Sequence, residues 1–322
     1  MTRRSLLVVG LGAVLAALSR LLPQYWLGLL TQALLFGGFA MGLDLLVGYT
    51  RMQSLGHATF FGLAGYGAAL AVTRAALNPW AAAGLGISLS LLVALLFAPL
   101  AVRFRGLSFL TVTLAFGQVA WGLATRWTSF TGGENGIPGI RRPAFLWDLN
   151  DPAGYYLLTV LVVTAGTLAL VRFAASPAGM SLQGVGSSDT RMAALGYDVQ
   201  ARRAVAFVVA ALTGAVYGTL SAYFNKFIGP GSLDWRLSAQ ILLSVIVGGS
   251  GSLWGPFAAG AGLHVLKAGL VGETQRWPMV LGALYVLTVV FLPGGLASVP
   301  ARFQRLVAGR GWRRTGERAE RP

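Results

Sequence analysis

The chain has 322 residues, of which 55% are hydrophobic and only 11% are charged. Soluble domains carry roughly 25% charged residues, so this composition excludes a soluble globular protein and indicates an integral membrane protein. The formal net charge of +15 does not indicate a nucleic-acid-binding protein, because the basic residues lie in short loops and near the C-terminus. The absence of cysteine excludes disulfides and thiolate metal sites.

Apolar runs follow one another along the chain, and a membrane-spanning helix needs about 20 such residues. They predict an all-α fold, a polytopic transmembrane helix bundle of about ten spans. The run at 239–249 is short, and we predict either a steep crossing or a re-entrant segment there. The ten runs are 5–22, 27–49, 55–73, 80–102, 107–125, 155–173, 204–224, 239–249, 253–271 and 277–299.

Loop charges predict the orientation of the bundle. With the N-terminus inside the cell, 16 of the 25 Lys and Arg residues fall on the inner side. This positive-inside bias favours an even number of crossings with both termini inside. We therefore predict one transmembrane domain over 1–300 and a basic cytoplasmic tail over 301–322.

Two long polar stretches interrupt the apolar runs. The outer loop, 129–154, contains Gly-Gly, Asn-Gly and Pro-Gly pairs typical of tight turns, and forms either a binding surface or an ordinary solvated loop. The central segment, 176–200, opens with Ser-Pro, a helix-start signal, and we expect its helical part to end at Gly196. It predicts one or two amphipathic surface helices that either bind a soluble partner or turn the chain round.

No motif in the sequence indicates an enzyme. A nucleotide-binding P-loop needs a Gly-Lys pair, and neither lysine follows a glycine. Two histidines without cysteine disfavour a metal site, and no nucleophile lies beside a base with an orienting acid. We therefore expect no catalytic residues, metal or cofactor.

Ionisable residues within the predicted spans are candidates for function. An Asp at mid-membrane costs roughly 2.5–3.5 kcal/mol on insertion scales, so Asp44 and His57 should face the bundle interior. They could line a substrate path, form a proton relay, or pair structurally. Gln118 and Gln240 are milder polar candidates for a path.

Six motif blocks follow one another in a fixed order along the chain. They lie at 44–66 (DLLVGYTRMQSLGHATFFGLAGY), 105–118 (RGLSFLTVTLAFGQ), 131–139 (TGGENGIPG), 176–197, 248–256 (GGSGSLWGP) and 291–297 (FLPGGLA). Together these blocks resemble the permeases of branched-chain amino-acid ABC transporters, and the features fit their M-type. The first block is similar to the family's signature, and its Gln53 is a further candidate for lining a path.

This resemblance implies an assembly in the bacterial inner membrane. Two different permeases would pair, two cytoplasmic ATPase subunits would bind beneath them and hold the ATP, and an outer solute-binding protein would deliver the substrate. The central segment, with about 174–203 as its wider bounds, would be the loop that couples to the ATPase. The residues that would carry this coupling are Val185, Asp189, Arg191, Met192, Ala194, Leu195 and Gly196.

Departures from the family pattern leave the substrate open. QGVGSSD at 183–189 replaces a charged stretch of the family and keeps only Asp189, and Gln118 stands where an acid is usual. Relatives carry branched-chain or other amino acids, urea or short amides. Two other classes remain: a proton-coupled secondary transporter using Asp44 and His57, and a membrane scaffold that transports nothing.

Overall fold

The computed structural model describes residues 3–298 except 274 and 293, so the predicted tail at 301–322 lies outside the described residues. The chain is nearly all helical. In chain order the helices are α1 (Arg3–Leu18), α2 (Gln24–Asp44), α3 (His57–Thr73), α4 (Pro79–Ala101), α5 (Gly106–Arg126), α6 (Thr128–Thr131), α7 (Pro152–Ala175), α8 (Pro177–Ser187), α9 (Asp189–Ala194), α10 (Val199–Asn225), α11 (Trp235–Gly248), α12 (Trp254–Glu273) and α13 (Trp277–Phe291).

Five of the described helical segments are long and apolar enough to cross a membrane. They are Gln24–Tyr49, which is α2 with a π-helical turn at Leu45–Tyr49, and Pro79–Ala101, Gly106–Arg126, Pro152–Ala174 and Val199–Asn225. The short run predicted at 239–249 forms the 14-residue helix α11. The helical prediction is therefore confirmed in outline.

One small sheet departs from the all-α prediction. Strand β1 (Ile137–Pro138) in the outer loop pairs antiparallel with strand β2 (Phe227–Ile228), which follows α10. Each strand has only two residues, too short for an alternating pattern to show in the sequence. The pair ties the outer loop to the end of α10.

The core of the bundle is formed by α2, α3 and α10, which approach closely at glycines. Gly42 of α2 faces Thr213 of α10, and Gly218 of α10 lies against the backbone of Phe61 in α3. A Cβ at either glycine would overlap these neighbours. Small residues drive helix association in membranes because they allow such close contact.

The outer surface of α4 is apolar. Leu85, Leu89, Leu92 and Leu96 are all more than 40% exposed and follow one another at helical spacing. A row of exposed leucines suits contact with lipid chains. Helix α4 thus presents an apolar face on the outside of the bundle.

Candidate functional site

The central segment folds into two short helices whose ends follow the sequence signals. Ser176 caps α8, accepting a hydrogen bond from the Gly179 amide at 3.3 Å, and Ser188 caps α9 in the same way. Serine is a preferred N-cap because its oxygen satisfies a free amide of the first turn. The prediction of one or two helices here is confirmed.

Gly196 ends the second helix in the left-handed conformation, with φ of +84°. Its amide donates to the Ala193 carbonyl at 2.9 Å, and the Tyr197 amide donates to the Met192 carbonyl at 3.1 Å. These two bonds form a Schellman motif, which requires a residue that tolerates positive φ. The predicted helix stop at Gly196 is therefore found in this geometry.

Burial divides the predicted coupling residues into two sets. Val185 and Met192 are only 3% and 8% exposed, because they pack inward against the permease bundle. Leu195 is 67% exposed, and Arg191 and Ala194 are exposed beside it. The exposed surface of this segment is therefore formed by Arg191, Ala194 and Leu195.

Asp189, the first residue of α9, joins three segments. One of its oxygens, Oδ2, contacts Nη2 of Arg203 at 2.5 Å and Nη1 of Arg105 at 3.1 Å. Arg203 belongs to α10 and has a buried side chain, while Arg105 immediately precedes α5 and is largely exposed. From the sequence, both arginines are predicted only as inner-side charges, because their spacing in the chain gives no signal for this contact.

Asp44 lies fully buried at the end of α2. Its Oδ1 accepts a hydrogen bond from the Gly251 amide at 2.7 Å, and its Oδ2 accepts one from the Leu253 amide at 2.9 Å. The carboxylate therefore joins α2 to the turn before α12. Hydrogen bonds from backbone amides stabilise a buried carboxylate without a cation.

His57 is also fully buried and begins α3. Its Nδ1 lies 2.9 Å from the Ser54 hydroxyl, and its ring packs edge-on against Phe60 and Phe207. Within the described part of the chain, no hydrogen bond or ion pair joins His57 to Asp44. A proton relay between these two side chains has no direct contact to use.

The three glutamines predicted to line a path occupy different surroundings. Gln53 is exposed in the turn before α3, Gln118 is half-buried in α5, and Gln240 is half-buried in α11. Helix α5 lies against the turn that bears Gln53, since the Thr113 hydroxyl accepts a hydrogen bond from the Leu55 amide at 3.2 Å. The turn that bears Gln53 is therefore in contact with the helix that bears Gln118.

The outer loop is held in place by Arg142, which no sequence motif singles out. Its guanidinium donates to the carbonyls of Leu149, Tyr223 and Phe224 at 2.7, 3.0 and 2.6 Å. It also lies 4.5 Å from the ring centre of Tyr155. Burial lowers the pKa of Arg142, yet a guanidinium remains cationic in proteins. This one side chain holds the loop against the ends of α7 and α10.

Comparison with known proteins identifies the family of this chain. The model of the family described as "Branched-chain amino acid transport system / permease component" matches residues 25–291. The chain belongs to this family. It is similar to the high-affinity branched-chain amino acid transport system permease protein LivM of Salmonella typhimurium, at 27% identity over 304 residues, 87% of this chain and 71% of the relative. It is also similar to LivM of Escherichia coli K12, at 25% identity over 319 residues, 91% of this chain and 75% of the relative. No solved structure matches the chain.

Family membership makes the chain a membrane permease subunit of an ABC importer, a transporter that works with ATPase and solute-binding-protein partners. The family match includes both aspartates that connect separate segments, here named the Asp44 joint and the Asp189 joint. It also includes both long polar stretches. Helix α1 precedes the matched region.

Proposed function

We propose that this permease carries branched-chain amino acids, or a related small solute such as another amino acid, urea or a short amide, into a bacterial cell. It would work in the inner membrane, paired with a second homologous permease, two ATPase subunits and an outer solute-binding protein. The observation that supports this most is the family match over 25–291. The names of the LivM relatives support the amino-acid class.

We propose ten crossings with both termini inside. The contacts support the grouping of the loops by side, because segments predicted on the same side meet one another. Arg105, Asp189 and Arg203 form one cluster, while β1 and β2 bring the outer loop to the end of α10. The positive-inside bias supports a cytoplasmic position for the arginine cluster.

The ATPase would bind the exposed surface of the central segment, formed by Arg191, Ala194 and Leu195. Leu195 presents a large apolar side chain to water on a short surface helix. An apolar side chain in this setting suits a groove on a partner protein. Arg191 beside it would pair with an acid of the ATPase.

The solute-binding protein would bind the outer loop. Arg142 and the β1–β2 pair hold this loop in one conformation, so the loop offers a preformed platform. Binding to a preformed surface avoids the entropic cost of ordering a flexible loop.

The solute path would run along α5. A stripe of small and polar residues, partly exposed and partly half-buried, runs along α5 at alternating spacings of three and four, unlike the leucine row of α4. Gln118 lies on this stripe, and an amide side chain facing lipid is costly. Labelling tests the placement in this cysteine-free chain: in the assembled transporter, Gln118→Cys should react with a water-soluble thiol reagent and Leu96→Cys on α4 should not. Equal reaction at both positions contradicts it. The stripe consists of Ser108, Thr111, Ala115, Gln118, Gly122 and Thr125.

Uptake of radiolabelled leucine by cells that carry or lack the gene tests the function. We expect uptake to fall on deletion, to stop on ATP depletion and to persist when an ionophore collapses the proton gradient. Uptake that survives ATP depletion but stops with the ionophore would support a proton-coupled transporter instead. No change on deletion, with isoleucine, valine, urea and acetamide also unaffected, would support a scaffold.

A further inference from the structure

Helix α5 is held loosely compared with the helices of the core. Only four of its 21 residues are fully buried: Phe109, Thr113, Gly117 and Ala124. Its N-cap residue, Arg105, makes no capping hydrogen bond through its side chain. A long helix with few buried residues and a free first turn can be displaced at lower cost than a core helix.

The Arg105 side chain forms an ion pair with Asp189. Asp189 opens α9, the helix that carries Arg191 and ends at Ala194. The surface proposed to bind the ATPase and the start of α5 are therefore separated by a single short helix and one ion pair.

The two arginines at Asp189 differ in how firmly they hold it. Arg203 is buried, with only 8% of its side chain exposed, and contacts the carboxylate at 2.5 Å. Arg105 is 65% exposed and lies at 3.1 Å. A buried ion pair is expensive to break, whereas an exposed pair contributes little stability and exchanges with water. Arg203 fixes the carboxylate, and Arg105 can follow it or release it.

We propose that Arg105 and Asp189 form the link through which movement of the central segment shifts the cytoplasmic end of α5, with Arg203 keeping the Asp189 carboxylate in position. All three are positioning residues for transport. The inference rests on the proposed function, because it needs an ATPase that moves the central segment.

Packing along α5 shows where such a shift would go. The Thr113 carbonyl approaches Gly56 so closely that a Cβ there would overlap it, and Gly117 also faces Gly56. These contacts fall in the turn that carries Gln53 and leads to His57. A shift of α5 would therefore reach the proposed solute path within two turns of the helix.

The test uses the complete transporter, with both permeases and both ATPases in proteoliposomes and the solute-binding protein added, and measures ATP hydrolysed and radiolabelled leucine transported. For Arg105→Gln we expect ATP hydrolysis within about twofold of the wild type and transport lowered by roughly fivefold or more, the lower end of typical coupling between sites. Arg105→Lys, which keeps the charge, should restore part of the transport. Arg103→Gln, an exposed arginine outside the cluster, is the matched control and should behave as the wild type.

The outcomes separate this inference from the function on which it rests. A wild-type complex that moves none of the proposed solutes at the expense of ATP overturns the proposed function, and the link with it. A wild-type complex that transports, together with an Arg105→Gln variant equal to Arg103→Gln, overturns the link alone. A parallel loss of hydrolysis and transport in Arg105→Gln also overturns it, because the residue would then act on assembly.

Discussion

Two aspartates form joints in this permease, and they are built in opposite ways. Asp44 is fully buried, and each of its oxygens accepts a hydrogen bond from a backbone amide about 200 residues away in the chain. Asp189 is half-buried, and one oxygen is shared by two arginine side chains. Backbone partners cannot rotate away, whereas the exposed guanidinium of Arg105 on its flexible stem can. The first joint therefore suits a fixed part of the bundle, and the second suits a moving part.

The surroundings of the two joints support this contrast. Gly48 lies so close to the Gly251 amide that a Cβ would overlap it, so the backbones on both sides of the Asp44 joint are in contact. At the Asp189 joint, a pocket of about 250 Å³ lies between the segments and includes Arg51 and Gly106 in its lining. Tight packing resists displacement, and open space beside an ion pair permits it.

The largest effect is expected from removing the Asp44 carboxylate. Asp44→Ala leaves the amides of Gly251 and Leu253 buried without acceptors, at about 1–3 kcal/mol each, so the free energy of unfolding should fall by about 2–6 kcal/mol. Asp44→Asn keeps one acceptor oxygen and should lose about half of that. The unfolding temperature of the purified permease measures both changes.

Asp198→Asn is the matched control for this series. Asp198 caps α10, accepting from the Ala201 amide at 3.0 Å, and asparagine serves equally well at an N-cap. Its unfolding temperature should equal that of the wild type. If Asp44→Ala is also as stable as the wild type, the Asp44 joint does not hold the bundle together.

A smaller loss is expected at Gly48. The Cβ of Gly48→Ala would overlap the Gly251 amide and the Asp44 carboxylate, and neither neighbour can move without breaking the joint. Overpacking of this kind costs about 1–3 kcal/mol. Gly262→Ala in α12, where a Cβ has open space, should be as stable as the wild type or slightly more stable. Equal unfolding temperatures for the two variants would show that the close approach at Gly48 is not needed.

The sequence predicts the helices of this fold better than its joints. Hydropathy locates α4 within a residue at its start and its end, and the Ser-Pro and Gly196 signals mark the central helices, because these features depend on neighbouring residues. The family resemblance is likewise confirmed. The placement of Asp44 inside the bundle could be predicted from the cost of exposing a carboxylate to lipid.

Partners that are distant in the chain could not be predicted. Nothing near Asp44 marks the Gly251 and Leu253 amides as its donors, because every residue except proline has such an amide. Arg142 and Arg203 carry no local pattern that separates them from other loop arginines. Val185 and Met192 show the limit of the amphipathic argument, since an apolar side chain on a short helix can face the bundle as easily as a partner.

The smallest effect on stability is expected at the surface beside the Asp189 joint. Leu195 is 67% exposed, so Leu195→Asp should change the free energy of unfolding by no more than about 0.5 kcal/mol. It should nevertheless weaken ATPase binding by about tenfold or more, because a charge would enter an apolar groove at a cost typical of a central interface residue. Gln200→Asp places the same charge at an exposed position nearby and should bind as the wild type. Co-purification of the ATPase with each permease variant measures binding, and the unfolding temperature checks the fold. An ATPase that binds Leu195→Asp as tightly as Gln200→Asp would show that the partner contacts a different surface, whereas selective loss with an unchanged unfolding temperature would confirm that the surface at Leu195 serves contact rather than stability.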